Sequence, residues 1–415
     1  MLRSLLSWQR GRWVVWALAL AVGCSGDDDP RPDPTPPGSA PGPCSDIPVD
    51  VLKEMLVVDE AVVTDARAKN ATDGPWSFRH LIEEMTPPGV SPSEFVLRWL
   101  NTWQGERRIN GFVVPVRPDT SRVLVCPWLR ATPSNLCDSS CGVCQARELD
   151  LALAPFRLIG FANRIDLRET EDLGGVGESR LVFGVTEGPG DDPSSKALRM
   201  SVIFEFKNPS AAGQNAAYWA HRWHELSAYP AYDESYLAAL QSLTDEIVTR
   251  GAAPNAPSGS SIGQVRTNER EFDWIWDLRE FKLDATGLAP APTFNTPDKS
   301  SNDSPALAAF VEANRELIMV NQHRLPPQFT SGFATPFVPW YVPGVDEELR
   351  HNFARHTCDG CHQTEEDPVD VNFHISPLRT GVAKLSPFLY DPALPEGTEE
   401  MISRIASHHR ALCGQ

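Results

Sequence analysis

Apolar positions set three or four residues apart run through much of the chain, and each such run predicts a helix. In 91–103, Phe95, Trp99 and Trp103 stand four apart, Val96 and Leu100 widen the stripe, and Ser91 or Ser93 is placed to cap it. The same period marks 76–85, 216–229, 233–250 and 304–323, the last with Ser304 at the cap and Pro305 in the first position. From Asp46 to Asp65 short apolar clusters alternate with acids, and Asp50 is placed to cap a helix holding Val51, Met55 and Leu56. Segments 111–116, 157–167, 179–185 and 200–206 are rich in Val, Ile and Phe and bounded by Gly, Pro or Asp; they read as strands, as does 272–283. Helices and strands mixed without strict β-α-β alternation predict an α+β fold. Pro-rich 329–346 separates this body, 44–345, from a tail, 346–415. In the tail, 346–357 predicts a helix with Leu349 and Phe353 on one face. A second, capped by Thr398, carries a stripe of Met401, Ile402, Ile405 and Leu412.

The first 43 residues follow another pattern. Arg3, Arg10 and Arg12 flank the start of an apolar run of ten residues, Trp13–Val22. A membrane-spanning helix needs about 20 apolar residues, so 1–23 reads as an export signal. Ala21-Val22-Gly23-Cys24 resembles the lipobox of bacterial lipoproteins, with Ala21 where leucine is more usual. The resemblance implies cleavage before Cys24, a diacylglyceryl group on its thiol, and a mature protein anchored at the outer membrane or a periplasmic face. Residues 24–43, rich in Pro, Asp, Gly and Ser, have little to bury and read as a flexible tether.

About 370 residues remain, enough for a sizeable core. The net charge of −18, with no basic block to offset it, repels phosphate backbones and argues against a nucleic-acid partner. Nine cysteines suit an oxidising compartment. Six of them, Cys44, Cys126, Cys137, Cys141, Cys144 and Cys413, are disulfide candidates with 15 possible pairings. In an exported chain the Cys126–Cys144 cluster reads as a pinned loop rather than a zinc site.

The remaining pair lies in His356-Thr357-Cys358-Asp359-Gly360-Cys361-His362. A helix, Cys-x-x-Cys-His, a loop and a terminal helix resemble a small c-type cytochrome, over the tail alone. The resemblance implies haem c held by thioethers from Cys358 and Cys361, with His362 as proximal ligand. For the distal position the tail offers His374, with Met401 as the alternative; His408 and His409 are further imidazoles. The function implied is electron transfer or redox sensing, with a redox partner protein. Without haem, the same residues read as a disulfide loop or a structural metal site in a disulfide-stapled, non-catalytic module.

Two other groups carry chemistry. His221 and His224 lack metalloprotease spacing and stand among Trp219 and Trp223, so they read as packed structural histidines. Arg164, Asp166, Glu178 and Arg180 read as a cross-strand charge network. The alternative is a hydrolase using Asp166 and Glu178 as acid and base, though no nucleophile motif accompanies them. The phrases FANRIDL, GESRLVFGV, VRTNERE and WDLREF resemble stretches of exported bacterial lipoproteins, a resemblance that implies no activity.

Overall fold

Alternation along the central strands builds a sheet with one apolar and one charged face. The structure, a computed structural model, describes residues 47–129, 136–137, 144–145, 148–169, 175–211, 213–256, 258–272, 275–336, 339–365, 373–378, 384–394 and 397–415. The export signal, the tether, Cys24, Cys44 and Cys141 lie outside them, as do the side chains of Cys137 and Cys144. The strands are β1 (Leu56–Val57), β2 (Arg107–Ile109), β3 (Phe112–Val114), β4 (Leu136–Cys137), β5 (Cys144–Gln145), β6 (Phe156–Arg164), β7 (Glu178–Thr186), β8 (Ala197–Lys207), β9 (Ile262–Glu269), β10 (Asp277–Asp284) and β11 (Gly287–Ala291). The α-helices are α1 (Glu60–Val63), α2 (Phe78–Met85), α3 (Pro92–Asn101), α4 (Ala216–His224), α5 (Glu234–Val248), α6 (Pro305–Ala313), α7 (Arg315–Met319), α8 (Glu347–Arg355) and α9 (Glu399–Leu412). The fold is α+β.

Seven strands pair in the order β1-β6-β7-β8-β9-β10-β11, antiparallel throughout. Successive side chains of a strand point to opposite faces. In β7 this sends Leu181, Phe183 and Val185 one way and Glu178, Arg180 and Val182 the other. Register keeps like with like: Leu181 opposes Phe204 and Phe183 opposes Val202, while Arg180 opposes Glu205 and Val182 opposes Ile203. The apolar face packs under α2, α3, α4 and α5 in the main core. Phe78 is central there, stacked on Phe156 at 4.0 Å and edge-on to Trp128, Phe183 and Phe204.

The tail covers the other face. Ile375 packs with Val58, Ile159 and Val182, and Gly184 leaves room for Pro377, which a Cβ would meet at 3.4 Å. Leu349 and Phe353 of α8 bury with Trp340 and residues of α6 and α7. Helix α9 packs on α4 and on the short turn Ile165–Leu167, and its Ala411 and Leu412 enter the main core. Residues 43–415 thus pack as one unit. Among the described residues no helix is long and apolar enough to cross a membrane.

Ser77, Ser91, Ser304 and Thr398 cap their helices through their hydroxyls. Three local expectations need correction. The helix expected over 304–323 breaks at Asn314, whose side-chain amide donates to the Phe310 carbonyl at 2.8 Å and competes with the helix ladder. Strand β9 was not expected, because Ile262 and Val265 are its only apolar residues and Gly263, Asn268 and Glu269 are poor strand formers; hydrogen bonds from β8 and β10 on both sides complete it. Ile402 is exposed, and the buried face of α9 uses Arg404, Ser407 and His408 as well as Met401 and Leu412.

Candidate functional site

The Cys-x-x-Cys-His segment follows α8, whose first turn is capped by Asp346 Oδ1 accepting from the Leu349 amide at 3.0 Å. Beyond the helix, Thr357 Oγ1 donates to the Ala354 carbonyl at 2.6 Å and accepts from the Gly360 amide at 3.0 Å. The turn this makes is tight enough that a Cβ on Gly360 would stand 1.8 Å from the Ala354 carbonyl oxygen. Asp359, wholly buried, anchors it by accepting from Trp340 Nε1 at 3.2 Å and from Lys299 Nζ, which lies over the Trp340 ring. Burial raises the Asp359 pKa, and Lys299 opposes that rise.

Cys358 and Cys361 are held as thiols, whereas Cys126 and Cys413 are disulfide-bonded. The Cys358 amide donates to Thr296 Oγ1 at 2.8 Å, and its Sγ faces the Phe294 carbonyl at 3.8 Å. Burial pushes the Cys358 thiol up to about 12, beyond what nearby Arg266 offsets, so it is protonated at neutral pH. Cys361 Sγ lies 3.4 Å from His374 Nε2. The other nitrogen of that ring, Nδ1, meets Ser386 Oγ at 3.2 Å, which fixes the ring with Nε2 toward the cysteine. Burial, then His362 and nearby arginines, lowers the His374 pKa far enough to keep it neutral, the form that ligates metals. His362 stacks on Trp276 at 4.7 Å and lies against His374 at 4.2 Å with the rings tilted by 32°, and His374 in turn stacks on Phe388 at 4.9 Å.

Cys358, Cys361, His362 and His374 all line a cavity of about 680 Å³ between the tail and the charged face of the sheet. That size lies within the range of about 300–1,000 Å³ usual for cofactor pockets. Leu56, Val182, Ile203, Leu278, Phe294 and Phe388 supply apolar wall. Across its floor runs a ladder of alternating charge. Arg180 pairs with Glu178 and, at 3.3 Å, with Glu205; Arg266 pairs with Glu205 at 3.2 Å and with Glu280 at 2.9 Å. Burial works to raise the Glu205 pKa, but Arg180 and Arg266 outweigh it and hold the carboxylate ionised. At one end Arg164 grips Asp166 at 2.8 Å, and Arg404 of α9 pairs with Glu400 at 2.6 Å.

Arg164, Asp166, Glu178 and Arg180 therefore lie together in one ladder. Burial opposes the ionised form of Asp166, yet Arg164 and Arg404 pull its pKa down to about 2, which suits a permanent ion-pair partner better than a proton shuttle. The sequence reading missed Glu205, Arg266, Glu280, Glu400 and Arg404. The signal was present as period-two charge in β8, β9 and β10 and as an i, i+4 pair in α9. Met401 is buried against Met55, Leu56, Ala162 and Leu389 and is not among the residues lining the cavity. His408 also lies off the cavity, and His409 Nε2 meets the Ile47 carbonyl at 2.8 Å. His221 is exposed rather than packed, and His224 contacts Glu54 and His408. Cys137 and Cys144 are register partners across β4 and β5.

The donor set fits haem c in kind: two thiols, a neighbouring imidazole, a second imidazole kept neutral, and a cavity with an apolar wall over a floor of paired arginines and carboxylates. The His362 and His374 rings, tilted and 4.2 Å apart, would have to separate for both to ligate one iron. Comparison with protein-family models, curated proteins and solved structures finds no match for this chain.

Proposed function

We propose that this chain is an exported, lipid-anchored protein that carries one haem c and serves electron transfer or redox sensing. Cys358 and Cys361 attach the group, His362 ligates it, and His374 is the second ligand. The observation that carries the reading is the convergence of these four residues on one 680 Å³ cavity. When bound, haem supplies reversible one-electron exchange at its iron. The chain's residues do the rest. Gly360 permits the turn, and Asp359 with Lys299 and Trp340 holds it. Ser386 orients His374 by accepting from or donating to Nδ1. The apolar wall excludes water, and the ladder beneath it keeps Arg164, Arg180, Arg266 and Arg404 paired with the chain's own carboxylates. The lipid on Cys24 places the carrier at a membrane.

A second reading, a disulfide-stapled binding module without haem, draws support from the direct contact of the His362 and His374 rings and from the buried Cys358 thiol. One spectrum separates the two. Protein made in a host with haem c maturation machinery is extracted with acid–acetone, and the polypeptide is examined as the reduced pyridine haemochrome. Haem should stay with the chain, Cys361→Ala should shift the band, and His362→Ala should lose most of the coloured protein. His374→Ala should alter the oxidised spectrum and Met401→Ala should not. A colourless wild-type protein favours the second reading.

A further inference from the structure

A second set of ligating side chains lies away from the cavity. Glu54 comes from the turn Val51–Met55, His224 from the last residue of α4, and His408 from α9. One ligand atom from each lies within 4.8 Å of the other two, and among the described residues this is the only such group of His, Cys, Asp or Glu. We infer that Glu54, His224 and His408 bind a divalent zinc-class ion that clips α9 to the body.

Geometry carries the inference. His224 Nδ1 lies 2.8 Å and His408 Nε2 3.4 Å from the same oxygen, Glu54 Oε2. Zinc bonds of about 2.0–2.1 Å in a tetrahedral array set neighbouring donor atoms about 3.3 Å apart. The two separations from Glu54 thus lie within about half an ångström of that spacing, and the two imidazole nitrogens, at most 4.8 Å apart, need only draw together to admit the ion. The other oxygen, Glu54 Oε1, accepts from the Asp50 amide at 2.6 Å, which fixes the carboxylate as a supporting contact does in metal sites.

Hydrogen bonding alone accounts for His224 and leaves His408 unexplained. The His408 ring is wholly buried, and neither of its nitrogens makes a hydrogen bond. Buried polar atoms without partners are uncommon and mark an ion or water as the missing partner. Glu54 is as deeply buried, so a cation also balances a carboxylate removed from water. Two imidazoles and one carboxylate suit zinc. The side chain of His224 is 26% exposed, which leaves water a route to the fourth position.

The test uses the full-length protein, stripped with a chelator and titrated with Zn²⁺. One ion per chain should bind. X-ray absorption at the zinc edge, which haem iron does not obscure, should show nitrogen and oxygen at about 2.0–2.1 Å and no sulfur at about 2.3 Å. His224→Ala removes a partly exposed ligand, and Glu54→Gln keeps the side-chain shape. Each should weaken zinc at least about a hundredfold, because losing even an outer-shell partner costs about 10–100-fold. Zinc should also raise the unfolding temperature of wild type and not of His224→Ala. A sulfur shell would place the ion at Cys358 and Cys361 instead and overturn the inference. So would the absence of stoichiometric zinc, or binding that neither variant weakens. None of these outcomes depends on haem at the Cys-x-x-Cys-His turn.

Discussion

Gly360 is the residue on which the Cys-x-x-Cys-His turn depends most narrowly. Its φ is not positive; the demand is for space, because a methyl group there would collide with the Ala354 carbonyl. The obstacle is backbone at the end of α8, and relieving it means unwinding the segment that places Cys358. Gly360→Ala should therefore cost at least about 3 kcal/mol, in the upper part of the range for point mutants. Its urea midpoint should fall well below wild type, and the yield of coloured protein should fall with it; a wild-type midpoint would refute the steric argument. The Cys-x-x-Cys-His spacing was legible in the sequence because it is local. The need for glycine at 360 was not, because it arises from the carbonyl of Ala354, six residues back and positioned by the helix end. Asp359 fills one of the two unspecified positions of Cys-x-x-Cys, and nothing local to it signals a role. Its burial against Lys299 and Trp340 depends on chain 60 and 19 residues away.

Two elements carry separable predictions. The first is the ladder across β7, β8, β9 and β10, whose centre is Glu205, wholly buried and shared by Arg180, Arg266 and Gln264. Glu205→Ala leaves Arg180 with Glu178 alone and Arg266 with Glu280 alone, and should cost up to about 3–5 kcal/mol, the loss typical when one partner of a buried pair is removed. Glu205→Gln keeps shape and part of the hydrogen bonding and should fall between that variant and wild type in urea unfolding. Equal stability of all three would show that the ladder is balanced without Glu205. Half of this ladder was legible in the sequence, in the Glu178 and Arg180 of a strand with Val, Leu and Phe around them. Arg266 was not, because β9 has only two apolar residues, Ile262 and Val265, and needs the ladders on both sides to complete it.

The second element is the end of α8 with the segment after α7 that packs on it, where burial lowers two histidines below their usual pKa: His323 to about 4 and His356 to about 3. Their rings stand 5.9 Å apart, and His323 also meets Phe353. The unfolded chain takes up these protons near about 6.5 and the native one does not. Their contribution to stability is therefore complete above about pH 6.5 and is lost as pH falls toward about 3, at about 1.4 kcal/mol per unit for each group. The urea midpoint should drop between pH 7 and pH 5, and by less in His323→Phe, which has no proton to gain. An equal drop in both proteins would assign the pH dependence to other groups.

At the scale of the whole molecule, the α+β class and most helices could be read from period and capping residues. The seven-stranded order could not, since pairing of β1 with β6 and of β8 with β9 joins segments far apart in sequence. Nor was it legible that the tail would close over the charged face, for that depends on Ile375 and Pro377 meeting strands more than 180 residues earlier. The export reading makes its own prediction. A single acyl chain holds a protein at a membrane only weakly, so firm anchoring needs two or more on Cys24. Cys24→Ala should move the protein from the membrane fraction to the soluble one; a variant that stays in the pellet would place the anchor elsewhere. The central claim is covalent haem at Cys358 and Cys361, and the intact mass of the acid–acetone-extracted, non-reduced chain tests it most directly. The chain should be heavier by one haem, with the adduct mapped to the peptide holding both cysteines. A chain without the adduct, lighter by the two hydrogens of a Cys358–Cys361 disulfide, would contradict it.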